Sequence, residues 1–122
     1  MKLRIRDNSI RLRLSKTEVA AISDKGHVEA YTQIGPNRFG YALIRVDDAD
    51  SLTASYMDDC LTVCIPERFT RDWPKNDVVG FDARIPLPGE AHLYILVEKD
   101  FACIDETTED QGDMYPNPNQ TC

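Results

Sequence analysis

The feature that most constrains this chain is an alternation of basic and apolar side chains over residues 2–6 and again over residues 10–14. Leu3 and Ile5 alternate with cations before an Asp-Asn-Ser turn, and Ile10, Leu12 and Leu14 alternate with arginines after it. Because successive side chains of a strand point to opposite faces, the pattern predicts a hairpin with one apolar face turned inward. If the hairpin pairs in simple register, its other face carries five cations: Lys2, Arg4, Arg6, Arg11 and Arg13.

Local signals predict two short helices. Ser15-x-x-Glu18 is a capping box, in which a hydroxyl and a carboxylate each accept a hydrogen bond from backbone N–H groups at the helix start. A helix is therefore expected over about 16–24, with Gly26 as its left-handed stop. Pro66 suits the first turn of a second helix over about 66–73, which Pro74 would end.

The remaining apolar runs predict six further strands, at residues 27–34, 38–46, 52–56, 61–65, 78–85 and 92–98. The unbroken run at 95–97 favours a central strand that is covered on both faces. We therefore expect an α+β fold that is mainly antiparallel. About eight strands would form a small barrel or a strongly curved sheet, together with the two short helices.

One sequence pattern occurs twice. Residues 12–15 and residues 63–66 each end a strand, lead into a short helix and are followed by another strand. Two such strand–helix–strand units can close a pseudo-symmetric barrel.

Composition indicates a folded domain. Of 122 residues, 42% are hydrophobic and 29% are charged, which is typical of a globular chain. No apolar run approaches the roughly 20 residues of a membrane helix, and the alternating start does not resemble a signal peptide. We expect a cytoplasmic protein with no membrane partner. Residues 1–103 would form one compact β-rich domain, and residues 104–122 an acidic segment that is solvated or packed on it.

The net charge of −7 is unevenly distributed. Residues 1–16 carry six basic side chains and one acid, Asp7, whereas the rest carry eight basic and twenty acidic side chains. The cationic face of the hairpin is therefore the candidate binding site, for a phosphate, a carboxylate or an acidic protein segment. The alternative is that these cations pair with the chain's own acids. Nucleic acid is not an expected partner of so acidic a chain, and a homodimer is left open.

The cysteines and histidines do not form a metal-binding pattern. Cys60 and Cys64 stand about 13 Å apart if they share a strand, which is too far for one zinc ion. Cys103 and Cys122 flank the acidic segment, and they are expected to be free thiols in a reducing compartment. An oxygen-rich stretch from residue 105 lacks the glycine and the final carboxylate that an EF-hand requires. We expect no metal and no cofactor.

No catalytic motif is present either, so no catalytic residue is assigned. The first hypothesis is a non-enzymatic binding domain that uses the cationic hairpin. The second is an enzyme acting on a phosphorylated or carboxylated small molecule, with the arginines holding the anion and Glu98 or Asp100 supplying a metal ligand or a base. The third is a DNA-binding regulator.

The two ends of the chain resemble a small bacterial family of unknown function. The resemblance rests on the MKLRIR-DNS-IRLRL start, on VEKDFAC at residues 97–103 and on YPNP at residues 115–118. No established activity comes with it. It implies a stand-alone cytoplasmic domain and an ordered C-terminal element formed by Lys99, Asp100, Phe101 and Cys103.

A second, partial similarity is to the swapped-hairpin DNA-binding regulators and antitoxins. Asn8-Ser9 and the stretch from Arg13 to Ser15 match their turn and helix entry in part, and Ile65-Pro66 is similar to the same segment. Asp7 stands where those regulators have glycine. That acid and the net charge argue against DNA binding.

Overall fold

The computed structural model describes residues 1–101, Asp113 and Tyr115. The strands are β1 (Lys2–Arg6), β2 (Ser9–Leu14), β3 (His27–Ile34), β4 (Asn37–Val46), β5 (Thr53–Met57), β6 (Cys60–Pro66), β7 (Gly80–Pro86) and β8 (His92–Lys99). The helices are α1 (Lys16–Asp24), α2 (Glu67–Thr70) and a 3₁₀ turn at Trp73–Lys75.

The eight strands form two separate four-stranded sheets. Sheet A has the order β1-β2-β8-β7, and sheet B has the order β3-β4-β6-β5. In each sheet two antiparallel hairpins lie side by side, and the strands that join them, β2 with β8 and β4 with β6, run parallel. The α+β class with eight strands and two short helices is thus confirmed. The expected small barrel is wrong, because the described strands form two sheets and no closed barrel. Most strand pairings are antiparallel, as expected, but each sheet is mixed, because its two hairpins come from different parts of the chain and their adjoining strands run parallel.

The chain contains the same arrangement twice. Strands β1 and β2, helix α1 and strands β3 and β4 form one half; strands β5 and β6, helix α2 and strands β7 and β8 form the other. Ser9, the first residue of β2, pairs with Tyr94 of β8, and Cys60, the first residue of β6, pairs with Gly40 of β4. Ser9 therefore matches Cys60, and Tyr94 matches Gly40. Residues that match in this way are called counterparts below. The expectation that a strand–helix–strand unit occurs twice is therefore confirmed.

The core is one cluster to which both halves contribute. Leu12 and Leu14 of β2 and their counterparts Val63 and Ile65 of β6 are completely buried. The helical segments bury the further residues Val19, Ile22, Thr70 and Trp73. Since both halves supply fully buried side chains to a single cluster, neither half can form this core alone.

Helix α1 follows the prediction. The Ser15 hydroxyl accepts a hydrogen bond from the Glu18 N–H, and the Glu18 carboxylate accepts one from the Ser15 N–H, which completes the capping box. Gly26 has a φ of 81°, as its left-handed stop requires.

The second helix is shorter than predicted. Helix α2 ends at Thr70, and Pro74 lies inside the 3₁₀ turn rather than after an α-helix. A proline disfavours α-helical geometry in the residue before it, so the backbone leaves the α-helix before Trp73. The indole N–H of Trp73 donates to the Val78 carbonyl at 2.8 Å, which anchors the turn beside the core.

Strand β8 is central, as predicted, but it is not covered on both faces. Ile95 and Val97 are buried, whereas Leu96 between them is half-buried on the opposite face of sheet A. Its strand neighbours there are Arg11 and Asp82. The apolar run at 95–97 therefore marks a strand with one buried face and one partly solvated face.

Gly80 is a position where the packing of sheet A excludes any side chain. A Cβ atom at residue 80 would lie 2.4 Å from the Val97 carbonyl oxygen. We predict that Gly80→Ala lowers the free energy of unfolding by about 1–3 kcal/mol, because backbone must move to make room. Urea denaturation measures this.

The matched control is Gly40→Ala. A Cβ atom there would contact the Cys60 Sγ at an ordinary 3.4 Å. This variant should be unchanged in stability or slightly more stable, since alanine restricts the unfolded chain. Equal losses in the two variants would contradict the steric explanation.

Candidate functional site

The five cations predicted to share a face do share one. Lys2 pairs with Arg13 across the β1–β2 hairpin, Arg4 pairs with Arg11, and Arg6 pairs with Ser9. The alternating burial of β2 shows which side is turned out, because Leu12 and Leu14 are buried and the arginines between them are not. This side is called the outward face of sheet A. Strands β7 and β8 add further residues to it: Asp82, Arg84, Tyr94, Leu96 and Glu98.

Three of the five cations lie beside carboxylates of the same chain. Glu98 accepts a hydrogen bond from Arg13 Nε at 3.0 Å, and its same oxygen lies 2.9 Å from Arg11 Nε. The Lys2 ammonium lies 3.3 Å from an Asp100 carboxylate oxygen. One carboxylate between two guanidinium groups neutralises only half of their charge. The Arg11 Nε–H, although buried, is not aligned for a hydrogen bond with any described atom.

Arg4 and Arg6 make no ion pair with any carboxylate in the described part of the chain. Together with Arg11 they line a groove of about 310 Å³, whose other lining residues are Ser9, Ile10, Tyr94 and Leu96. We call it the guanidinium groove. Guanidinium groups present planar, forked donors that match the oxygens of carboxylates and phosphates. The groove is therefore suited to an anionic group.

Tyr94 forms a wall of the guanidinium groove because it pairs with Ser9 of β2, and this strand pairing could not be predicted from the sequence. Its hydroxyl donates to Asp82 at 3.0 Å. Burial, and then the hydrogen bond to Asp82, raises the pKa of Tyr94 above its ordinary value. The phenol is therefore neutral at physiological pH. Nothing near residue 94 indicates its position beside β2, because that position depends on the parallel pairing of strands far apart in the chain.

The outward face of sheet B provides an internal comparison. The counterparts of Lys2, Arg4, Arg6, Arg11 and Arg13 occupy the same positions on β5 and β6, and they are uncharged: Thr53, Ser55, Met57, Thr62 and Cys64. The same backbone arrangement therefore forms with small polar or sulfur-containing side chains. The cations of sheet A are not a requirement of the fold.

The C-terminal element proposed from the family resemblance extends from β8. The Asp100 N–H donates to the Leu14 carbonyl at 2.8 Å, and Phe101 forms a bridge with Tyr115. Lys99 points to the other side from the cationic face and is only 3% exposed, and its ammonium donates to the Asn76 carbonyl at 2.7 Å. Burial lowers the pKa of Lys99. Cys103 lies outside the described residues, as do Cys122 and most of the oxygen-rich stretch that begins at residue 105.

The described cysteines and histidines do not converge. Cys60 and Cys64 are free, half-buried thiols on one face of β6. His27 and His92 are exposed at the starts of β3 and β8. No group of three or more potential metal-ligating side chains occurs among the described residues.

Asp113 contacts the start of helix α1, which the sequence did not predict. Its carboxylate accepts a hydrogen bond from the Thr17 N–H at 3.1 Å, and its carbonyl accepts one from the Lys16 N–H at 3.0 Å. These N–H groups are at the start of α1, where a helix has unsatisfied donors and attracts negative charge. The contact joins residues about a hundred positions apart, so no local pattern indicates it.

These observations define an α+β domain of two mixed sheets, one of which bears a cationic outward face. The chain belongs to a family of unknown function (DUF7009), whose model matches residues 1–119. No curated protein and no solved structure matches the chain.

In the described residues, none of the helices has the length and apolar character needed to cross a membrane.

Glu98 offers a first test of the site's electrostatics. We predict that Glu98→Gln lowers the free energy of unfolding by about 1–2 kcal/mol, because two guanidinium groups lose their shared carboxylate. Urea denaturation at low ionic strength measures the change, and added salt should shrink it. The control is Glu29→Gln, an exposed carboxylate on sheet B. A Glu98 variant as stable as that control would contradict the described pairing.

Asp113 offers a test through pH. Hydrogen bonds from Ser15 and Thr17, and the Lys16 charge, hold the pKa of the Asp113 carboxyl below its ordinary value of 3.8. Such a carboxyl stabilises the fold above pH 3.8 and loses this contribution as the pH falls through its lower, folded pKa. The wild-type chain should therefore exceed Asp113→Asn in unfolding free energy at pH 6, and the difference should shrink toward pH 2. A difference that is independent of pH would contradict the charge interaction.

Proposed function

We propose that this protein is a binding domain that holds an anionic group, a phosphate or a carboxylate, in the guanidinium groove. The observation that carries the proposal is the contrast between the two sheets. Five cations occupy the outward face of sheet A, whereas their counterparts on sheet B are uncharged. Since the fold accepts neutral residues at these positions, the clustered charge is best explained by a ligand.

The chemistry of the groove favours binding over catalysis. Its lining offers three guanidinium groups but neither a carboxylate nor an imidazole, so it supplies hydrogen-bond donors without a general base. The acids that an enzyme would need nearby are already engaged. Glu98 lies between Arg11 and Arg13, and Asp100 lies beside Lys2.

The charge balance of the face also favours a compact anion over a nucleic acid strand. Asp82, Glu98 and Asp100 are interspersed among the cations of sheet A, and the chain as a whole is strongly acidic. Such a surface attracts a small anion locally while the chain repels a long polyanion.

We predict that the wild-type chain binds inorganic pyrophosphate and citrate at low ionic strength, as measured by isothermal titration calorimetry. Replacing Arg4 by Ser and Arg11 by Thr installs the residues found at their counterpart positions on sheet B. This double variant should lose at least about tenfold in affinity, because two charge-assisted contacts are removed. Its fold should persist, because sheet B already forms with those residues.

The matched control removes two positive charges elsewhere, with Lys25→Ser and Arg38→Ser. Both side chains are exposed, and neither lies on sheet A. The control should keep wild-type affinity. Wild-type protein that binds neither anion, or equal losses in the two double variants, would overturn the proposal.

A further inference from the structure

The outer edge of β1 indicates which kind of partner would bring an anionic group to the guanidinium groove. This inference rests on the proposed function. Strand β1 is the end strand of sheet A and, among the described residues, pairs with β2 alone. At Arg4, Ile5 and Arg6 its other side is therefore an open sheet edge. An open edge presents backbone N–H and C=O groups that can pair with another strand. Ile5 lies on this edge with 57% of its surface exposed, although it faces away from the cations.

The register shows which backbone groups point outward. A two-residue turn joins Arg6 to Ser9, so these residues form a hydrogen-bonded pair, and so do Arg4 and Arg11 two positions along. Ile5, between them, is in a non-hydrogen-bonded pair with Ile10. Its N–H and C=O therefore point to the open edge, where an added strand would bind them.

An added strand would meet different side chains on its two faces. On the outward face it would lie beside Arg4 and Arg6, which would form its closer, non-hydrogen-bonded pairs. On the opposite face it would lie beside Ile5. The sequence that fits is an acid, an aliphatic residue and a second acid, in that order.

Charge excludes a second copy of β1 from this edge. Pairing β1 with β1 of another molecule would oppose cations to cations, which is destabilising. The same charges attract carboxylates. We therefore propose that β1 binds an extended acidic segment of a partner protein by strand addition, with alternating acidic residues reaching Arg4, Arg6 and the guanidinium groove.

The test uses a fluorescein-labelled, seven-residue peptide that alternates glutamate and valine, in fluorescence anisotropy with the full chain. The comparison peptide has the same sequence with N-methylated valines, which keeps the charge but cannot donate backbone hydrogen bonds to the edge. We expect the N-methylated peptide to bind at least about tenfold more weakly, because a tenfold loss corresponds to roughly one strong hydrogen bond. Equal affinity would overturn strand addition.

A protein variant tests the same edge from the other side. Ile5→Pro removes the outward N–H without removing a hydrogen bond of the hairpin. It should weaken peptide binding while leaving pyrophosphate binding intact. The matched control, Tyr56→Pro, makes the same change at the counterpart edge position of β5, and it should bind the peptide like wild type.

The outcomes separate the two proposals. Binding of pyrophosphate and of both peptides alike would support the guanidinium groove and overturn the strand-addition inference. Failure of every anionic probe would overturn both. If oligothymidylate binds tightly and displaces the peptide, the partner is a nucleic acid and not an acidic protein segment. This result would likewise overturn the inference.

Discussion

The structure depends on two parallel strand pairings that join its halves. Strand β2 pairs with β8, and strand β4 pairs with β6, so each sheet is completed by a hairpin from the opposite half. A two-stranded hairpin is only marginally stable alone, whereas a four-stranded sheet with an apolar face can support a core. The buried cluster, the outward face of sheet A and the walls of the guanidinium groove all follow from these two pairings.

Because the two halves share one backbone arrangement, comparing them distinguishes residues that the fold requires from residues that are specific to the surface of sheet A. Inward positions are apolar in both halves, as Leu12 and Leu14 and their counterparts Val63 and Ile65 illustrate. Outward positions differ: arginine on one sheet stands where threonine or cysteine stands on the other. The burial requirement is thus shared, while the surface chemistry is specific to sheet A. A comparison that normally requires two proteins can here be made within one chain.

The sequence predicted the local parts of this structure and missed the distant ones. The alternation around the Asp-Asn-Ser turn was sufficient for the register of β1 and β2, and Ser15 with Glu18 was sufficient for the start of α1, because neighbouring residues determine both. The mixed sheets could not be predicted, because the parallel partners are far apart in the chain and parallel pairing leaves no local signature. The cationic face was predictable for the same local reason as the hairpin, but the pairing of Arg11 and Arg13 with Glu98 was not.

The order of strands in the two sheets determines which sheet can form first during synthesis. Sheet B draws all its strands from residues 27–66, whereas sheet A joins the first hairpin to residues 80–99. During synthesis from the N-terminus, sheet B can assemble while the first hairpin still has no neighbour along β2. Strands exposed in this way are prone to aggregate, and positive charges along them oppose it. The arginines of β1 and β2 therefore oppose pairing of the first hairpin with other chains until β8 is available to join it.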